Sequence, residues 1–183
     1  MKSYLITDPR YYTDIESFKK YLENIYSSKK VDFACFRDKE NRFFEKYAKI
    51  FVKISKSFSI NKIIIHREIE IAKKLEADGV HLTSSQISQI PYAKSSGLFT
   101  VVSTHSLQEA KLAYELKADA ITYSPVFYSP GKGEPKGEEK LREIVKKVNV
   151  KCFALGGITG EKEIEICKNC GCYGFASIRY FSK

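Results

Sequence analysis

Cys152-Phe153-Ala154-Leu155-Gly156-Gly157-Ile158-Thr159 is the stretch on which the fold turns. Four apolar residues, too few for a helix, run into two adjacent glycines. A charged stretch with helical spacing, Glu161 to Asn169, follows at once. A short buried strand, a tight turn and a helix make one β/α unit. Working outward, the same rhythm recurs along the chain. Apolar strands are expected at Tyr4–Thr7, Val31–Phe36, Lys62–Ile65, Gly79–Leu82, Phe99–Ser103, Ala120–Ser124 and Gly174–Ile178. Helices are expected between them at Asp14–Ser27, Arg42–Ser55, Glu68–Leu75, Ser85–Lys94, Ser106–Leu116 and Glu138–Val148. Phe18, Leu22 and Ile25 mark the buried face of the first helix, and Leu107, Ala110 and Tyr114 that of the fifth.

Eight strands alternating with helices predict parallel pairing through right-handed crossovers. The expected fold is α/β, a compact (β/α)8 TIM barrel over residues 1–183 as a single domain, with an open doubly wound sheet as the runner-up. A barrel of this kind normally takes ~250 residues. The 183 present leave the last helix missing or truncated, because the chain ends five residues after the eighth strand. The exposed flank should be covered by the first helix or by a second copy of the chain, a homodimer.

Composition narrows the function classes. Hydrophobic residues at 43% and charged residues at 29% suit a globular protein rather than a disordered one. No apolar run approaches the ~20 residues of a membrane span. Met1 to Pro9 reads as a strand rather than a signal peptide, so a cytoplasmic location is expected. The net charge of +9 comes from lysines scattered along helices, without the interleaved aromatics of a stacking surface. This argues against nucleic acid and for a solvated, lysine-rich surface. Five cysteines form no disulfide framework. Cys167, Cys170 and Cys172 cluster without a fourth ligand for zinc, so reduced thiols are expected there.

Barrel sites lie at the C-terminal ends of the strands, with phosphate often held after strands seven and eight. Gly156 and Gly157 suit that place, since their amides can approach an anion at a helix start. Ser177 and Arg179 close the eighth strand, and Arg179 can bind phosphate bidentately. Arg37 and Lys39 end strand two. Lys132 sits in the Ser129-Pro130-Gly131-Lys132-Gly133 loop, whose composition suits a lid. His66, His81 and His105 end or follow strands three, four and five. A histidine there is a natural acid/base, although His81, inside its strand, reads as a structural hydrogen-bonder.

A set of motifs in order then resembles the thiamine phosphate synthase and TenI family across essentially the whole chain. They are Tyr4-Leu5-Ile6-Thr7-Asp8, Phe36-Arg37-Asp38-Lys39, Ala77-Asp78-Gly79-Val80-His81-Leu82, Ser103-Thr104-His105-Ser106-Leu107-Gln108-Glu109-Ala110, Ala118-Asp119-Ala120, Ser124-Pro125-Val126-Phe127 and Ala154-Leu155-Gly156-Gly157-Ile158. The resemblance implies a (β/α)8 barrel that binds thiazole phosphate. The synthase joins a pyrimidine diphosphate to thiazole phosphate and releases pyrophosphate, using Mg2+. A TenI-like tautomerase aromatises a carboxythiazole phosphate by proton transfer. Arg37 and Lys39 match the diphosphate-gripping R-x-K of the synthase, and Ser103 matches a diphosphate-contacting serine. Lys132 matches the lid lysine, and Gly156 and Gly157 match the phosphate loop.

The departures fall on the metal and the lid. Family Asn-Asp after strand three is His66-Arg67 here, and Gly-Gln-Glu-Asp after strand four is Thr83-Ser84-Ser85-Gln86. Both expected Mg2+-ligating aspartates are replaced. The lid reads Tyr128-Ser129-Pro130-Gly131-Lys132 where the family has P-T-x-T-K, and Arg179 replaces a serine. The reading from sequence is therefore a TenI-like thiazole tautomerase without a cofactor. His66 is the first candidate for acid/base and His105 the second. Gly157, Ser177 and Arg179 would hold phosphate, with Lys132 over the carboxylate. The alternatives are a thiamine phosphate synthase, with Mg2+, and a non-catalytic thiazole phosphate-binding protein.

Overall fold

The computed structural model describes residues 1–39 and 42–182. The eight strands are β1 (Lys2–Ile6), β2 (Phe33–Phe36), β3 (Lys62–His66), β4 (Gly79–Leu82), β5 (Phe99–Thr104), β6 (Ala120–Tyr123), β7 (Lys151–Leu155) and β8 (Gly174–Ser177). All pair in parallel and in sequence order, and β8 closes onto β1, with Ser3 beside Phe175 and Tyr4 beside Ala176. Closure rules out the open sheet. Among the described residues seven helices cross between strands: α1 (Ile15–Ser28), α2 (Phe44–Ser57), α3 (Ile69–Lys74), α4 (Ile90–Ser95), α5 (Leu107–Glu115), α6 (Gly137–Lys147) and α7 (Glu161–Asn169).

A fourfold device sets the register at the N-terminal end of the barrel. The residue just before each even strand reaches back to the second residue of the preceding odd strand. Asp32 takes the Ser3 amide on its carboxylate at 3.0 Å, Asp78 takes Ile63 at 2.7 Å, and Asp119 takes Thr100 at 2.7 Å. Each of these aspartates also donates its own amide to the same partner's carbonyl. At the fourth position Tyr173 keeps only the backbone half, its amide donating to Cys152 O at 3.0 Å. The charged version adds a lysine clamp: Lys2 lies 2.8 Å from Asp32 and Lys94 2.7 Å from Asp119. Burial pushes the Asp32 carboxyl up, but the bonds from Lys2 and Ser3 outweigh it and hold it below the usual range. β2 therefore starts at Phe33 rather than at the expected Val31, because Asp32 is committed to capping.

The barrel interior is layered. Phe33, Phe153 and Tyr173 pack edge to face toward the N-terminal end, with centroids 5.1 and 5.3 Å apart. Tyr4, Cys35, Ile64 and Val101 fill the middle. His66, His81, Ser103 and Thr122 bring polar atoms to the C-terminal part. A second apolar layer lies between strands and helices. It includes Phe18, Leu22 and Ile25 as expected. On α5, however, Ala110 and Ala113 are buried, and Tyr114 is 41% exposed. Small residues let this short helix lie close to the sheet, and the long ring turns out to solvent. The expected single helix over Ser85–Lys94 is a 3-10 segment, Ser84–Gln89, leading into α4, with Pro91 in the first turn of α4. Only there does its missing N–H cost nothing.

Among the described residues no eighth helix follows β8. Its place is partly taken by Phe181, which is 2% exposed and stacks 6.0 Å from Phe175. Ser182 meets the Tyr21 hydroxyl of α1 at 3.3 Å. The terminal turn and α1 together thus cover the flank. Replacing the ring leaves a cavity against the sheet, so Phe181→Ala should destabilise the protein by about 3 kcal/mol or more in urea unfolding. A change under about 0.5 kcal/mol would show that this ring does not close the barrel wall.

Candidate active site

β7 leaves the barrel through two residues in left-handed conformations, Gly156 (φ 96°) and Gly157 (φ 74°). The loop after β6 lies directly against them. Val126 donates to Leu155 O at 2.9 Å and Phe127 to Gly156 O at 3.0 Å. A Cβ on Gly156 would fall 2.7 Å from Pro125 Cα, and one on Gly157 2.6 Å from both Phe127 Cβ and Tyr128 O. Both positions therefore require glycine for φ and for space. Ser177 fixes the loop from the β8 side: its hydroxyl donates to Ile158 O at 2.7 Å and accepts the Tyr180 amide at 3.1 Å. The result is a hollow of about 160 Å³ in which Gly156 and Gly157 share walls with Arg179, Arg37, Lys132 and Arg10. Left-handed glycine amides ringed by guanidinium and ammonium groups make an anion nest.

A second, axial cavity of about 260 Å³ adjoins it, and both are lined by Arg37, Lys132, Leu155, Gly156 and Ile178. Lys39, His66, His81, Ser103, His105 and Ser124 stand in its polar wall, with Thr83 and Ser84. Arg37 is placed by Thr7, whose hydroxyl oxygen accepts the Arg37 amide at 2.8 Å and donates to its carbonyl at 3.3 Å. Lys132 rides on a turn closed by its own amide to Ser129 O, with Gly131 and Gly133 at positive φ. His105 is exposed on the rim, its Nδ1 3.0 Å from Ser124 O.

The buried histidines are uncharged. Burial, then His81, then the cations Arg37, Lys39 and Arg67 push the His66 imidazole down to about 2. Burial, then Arg37, pushes His81 down to about 3. Asp8 is pushed up by burial, but bonds from the Arg10 side chain and amide, with Arg37 nearby, hold it below the usual carboxylate range. The mouth is thus strongly cationic without charge on the two buried histidines.

All ten residues singled out from sequence line one or other cavity. His66, Lys39, Ser103 and His105 are axial, Gly157, Ser177 and Arg179 belong to the nest, and Arg37, Lys132 and Gly156 serve both. Sequence reasoning missed Arg10 and Asp8, which form a bidentate pair on the 3-10 turn Pro9–Tyr11. The Asp-Pro-Arg run after the first strand was the available signal. It also missed Thr83, Ser84 and Ser124, which carry no charge to mark them. The five cysteines are buried thiols, and Cys167, Cys170 and Cys172 lie in the outer apolar layer, away from this mouth.

The family model of the thiamine monophosphate synthases matches residues 3–181. The chain belongs to the thiamine monophosphate synthase family. It is 37% identical to "Putative thiamine-phosphate synthase 2" of Aquifex aeolicus, over 97% of this chain and 96% of that one. It is 31% identical to a thiamine-phosphate synthase of Prochlorococcus marinus, over 92% of this chain and 47% of that longer protein. Among solved structures, a thiamine phosphate pyrophosphorylase from Pyrococcus furiosus superposes with a TM-score of 0.83 at 26% identity, over 100% of this chain and 88% of the other. An N-acetylmannosamine-6-phosphate 2-epimerase from Clostridium perfringens shares the fold, with a TM-score of 0.74 at 13% identity, 99% of this chain and 87% of that one being covered. The family barrel expected from the motifs is thus the one found, and thiamine biosynthesis is its setting.

The Mg2+ associated with synthase chemistry does not fit the donors present. Mg2+ takes oxygen ligands, carboxylates above all. Among the described residues no group of three or more His, Cys, Asp or Glu could hold a metal ion, and no carboxylate lines the axial cavity. Where the family pattern has aspartates, Arg67 holds φ 69° and lines a neighbouring cavity with Asp38 and Glu68, which shares Lys39 and His66 with the axial one. Gln86 is tied to its own loop, accepting from Thr83 and donating to Arg67 O at 3.2 Å. Charge neutralisation at this mouth falls to guanidinium and ammonium groups.

Two outcomes follow. Gly157→Ala should weaken binding of a phosphate ester by about tenfold or more and cost about 1–3 kcal/mol of stability, because the methyl collides with the Phe127 backbone; unchanged affinity in isothermal titration would remove the nest. The depressed imidazoles also set a pH dependence. Above the ordinary value near 6.5 they contribute no slope. As pH falls below it, the unfolded chain takes up protons that the folded one refuses. Stability should therefore drop by up to about 1.4 kcal/mol per pH unit for each histidine. The urea midpoint should fall steeply between pH 6.5 and 4.5, and less steeply in His66→Gln. A flat wild-type profile would show that these rings are not sealed from water.

Proposed function

We propose that this protein is a thiamine-phosphate synthase, joining a pyrimidine-methyl diphosphate to a thiazole phosphate. The observation that carries this reading is the pair of adjoining cavities that share Arg37 and Lys132. One chamber suits the phosphate of the thiazole. The other suits a ring with a diphosphate directed at Arg37, Lys39 and Ser103. The names of the relatives support the transferase over the tautomerase that the missing aspartates first suggested.

In this reading the thiazole ring nitrogen supplies an electron pair to the methylene carbon of the pyrimidine. The C–N bond forms, and the C–O bond to diphosphate breaks with its electrons. No proton has to move. The barrier lies in charge gathering on the departing diphosphate, which Arg37, Lys39 and Lys132 are placed to neutralise. His66 and His81, kept neutral by burial, add no positive charge that would repel those cations.

A second reading keeps the tautomerase, favoured by the lack of a carboxylate in the axial cavity. Its base would be His105 rather than His66. An imidazole whose conjugate acid titrates near 2 accepts a proton poorly, whereas His105 is open on the rim and pinned through Nδ1.

The deciding assay mixes the purified protein with both transferase substrates, with and without Mg2+, and follows thiamine phosphate by fluorescence after oxidation. The synthase reading expects product, cut by about 100-fold or more in Arg37→Ala. No product, together with aromatisation of a carboxythiazole phosphate that is lost in His105→Ala, would replace it by the tautomerase. Binding without turnover in either assay would leave a carrier of thiazole phosphate.

A further inference from the structure

Beneath the axial cavity runs a buried chain of polar atoms ending on Ser103, and the reaction above does not use its inner members, Tyr4 and His81. The Tyr4 hydroxyl lies 3.0 Å from His81 Nδ1, and His81 Nε2 lies 3.0 Å from Ser103 Oγ. Thr122 Oγ1 is a further 3.5 Å neighbour of Nε2. Tyr4 is fully buried and His81 2% exposed, while Ser103 reaches the cavity wall. The ring of His81 stacks on Tyr4 at 5.8 Å and is held edge-on by His66 at 5.9 Å. Its orientation is therefore fixed from three sides.

The direction of the chain follows from the alternatives open to Tyr4. A phenol is a good donor with one proton to give. Besides His81 Nδ1, the Tyr4 hydroxyl has Cys35 beside it, whose own S–H points to Phe36 O at 3.8 Å. A thiol sulfur is a weak acceptor. Tyr4 thus gives its proton to Nδ1. His81, neutral, must then carry its proton on Nε2 and donate it to Ser103 Oγ. With a lone pair engaged from below, the Ser103 hydroxyl has its own hydrogen left to turn into the cavity.

We propose that Tyr4 and His81 are positioning residues that leave the Ser103 hydrogen free to be donated to an anionic oxygen of the ligand. The relay lets the barrel floor add a directed O–H to the cations on the rim. It also favours one chemistry over another: a diphosphate oxygen takes the Ser103 hydrogen, which an ammonium group, having no lone pair, does not. The proposal rests on the axial cavity being the diphosphate chamber, but the tautomer it requires is a property of the free protein.

The test has two arms. With 15N-labelled histidine, of which the chain has three, ring couplings at pH 7 report the tautomer of His81. The relay expects Nε2–H in the wild type and a shift toward Nδ1–H in Tyr4→Phe, which keeps the ring and loses only the hydroxyl. Calorimetry with inorganic pyrophosphate gives the second arm. Tyr4→Phe and Ser103→Ala should each weaken binding by about tenfold, and the double variant should bind no worse than Ser103→Ala alone. Ser103→Thr, which retains a hydroxyl, should restore most of the affinity. Nδ1–H in the wild type would overturn the relay. So would a Tyr4→Phe loss that persists undiminished in the Ser103→Ala background, since that marks a merely structural effect. A folded wild type that ignores pyrophosphate would overturn the diphosphate assignment, and with it the role of Ser103 toward that anion. The tautomer would still say whether the relay exists.

Discussion

The contact on which the mouth depends is backbone against backbone. Gly156 and Gly157 turn out of β7 in left-handed conformations and lie on Pro125, Phe127 and Tyr128 at distances that admit no side chain. Because that seat is tight, the loop amides are held where an anion can reach them, and the chain after β6 is carried over the mouth. Ser177 locks the same loop from β8. Three successive strands are thereby coupled at one point, and cations from β2, the lid turn and the C-terminal turn collect around it.

Electrostatics then separates two kinds of polar group. On the rim, Arg37, Lys39, Lys132 and Arg179 supply charge, and Asp8 orients Arg10 rather than offsetting the whole set. Below the rim, His66 and His81 are driven neutral by burial above all, with Arg37 acting on both. A site with fixed positive charge above and neutral directed dipoles below suits a dianionic or trianionic ligand. It suits a protonated base much less. In the proposed reaction, the rim cations would take the neutralising part of a metal ion's work.

Much of this was legible in the sequence, and the reasons differ by element. Alternation of apolar runs with helical spacing gave all eight strands, since a parallel strand buried on both faces leaves a short apolar run. The glycine pair was readable because no other residue tolerates that backbone. Val31-Asp32 was misread as strand because a capping aspartate at a barrel's N-terminal end looks, in sequence, like any polar residue in an apolar run. Once seen, the same aspartate recurs at Asp78 and Asp119. Tyr114 against Ala113 was a packing decision made by how closely α5 approaches the sheet, which periodicity alone does not encode. Arg10, Thr83, Ser84 and Ser124 reach the site by loop geometry, and the Tyr4–His81–Ser103 chain joins three separate strands. Neither leaves a local pattern to read.

The central claim is that two chambers at one mouth divide the ligands between them. A crystal structure with thiazole phosphate and pyrophosphate bound together tests it most directly. The account predicts the ester phosphorus at the Gly156–Gly157 amides beside Arg179, and pyrophosphate between Arg37, Lys39 and Ser103. Both anions in a single chamber, or the thiazole phosphate away from the glycine turn, would contradict it.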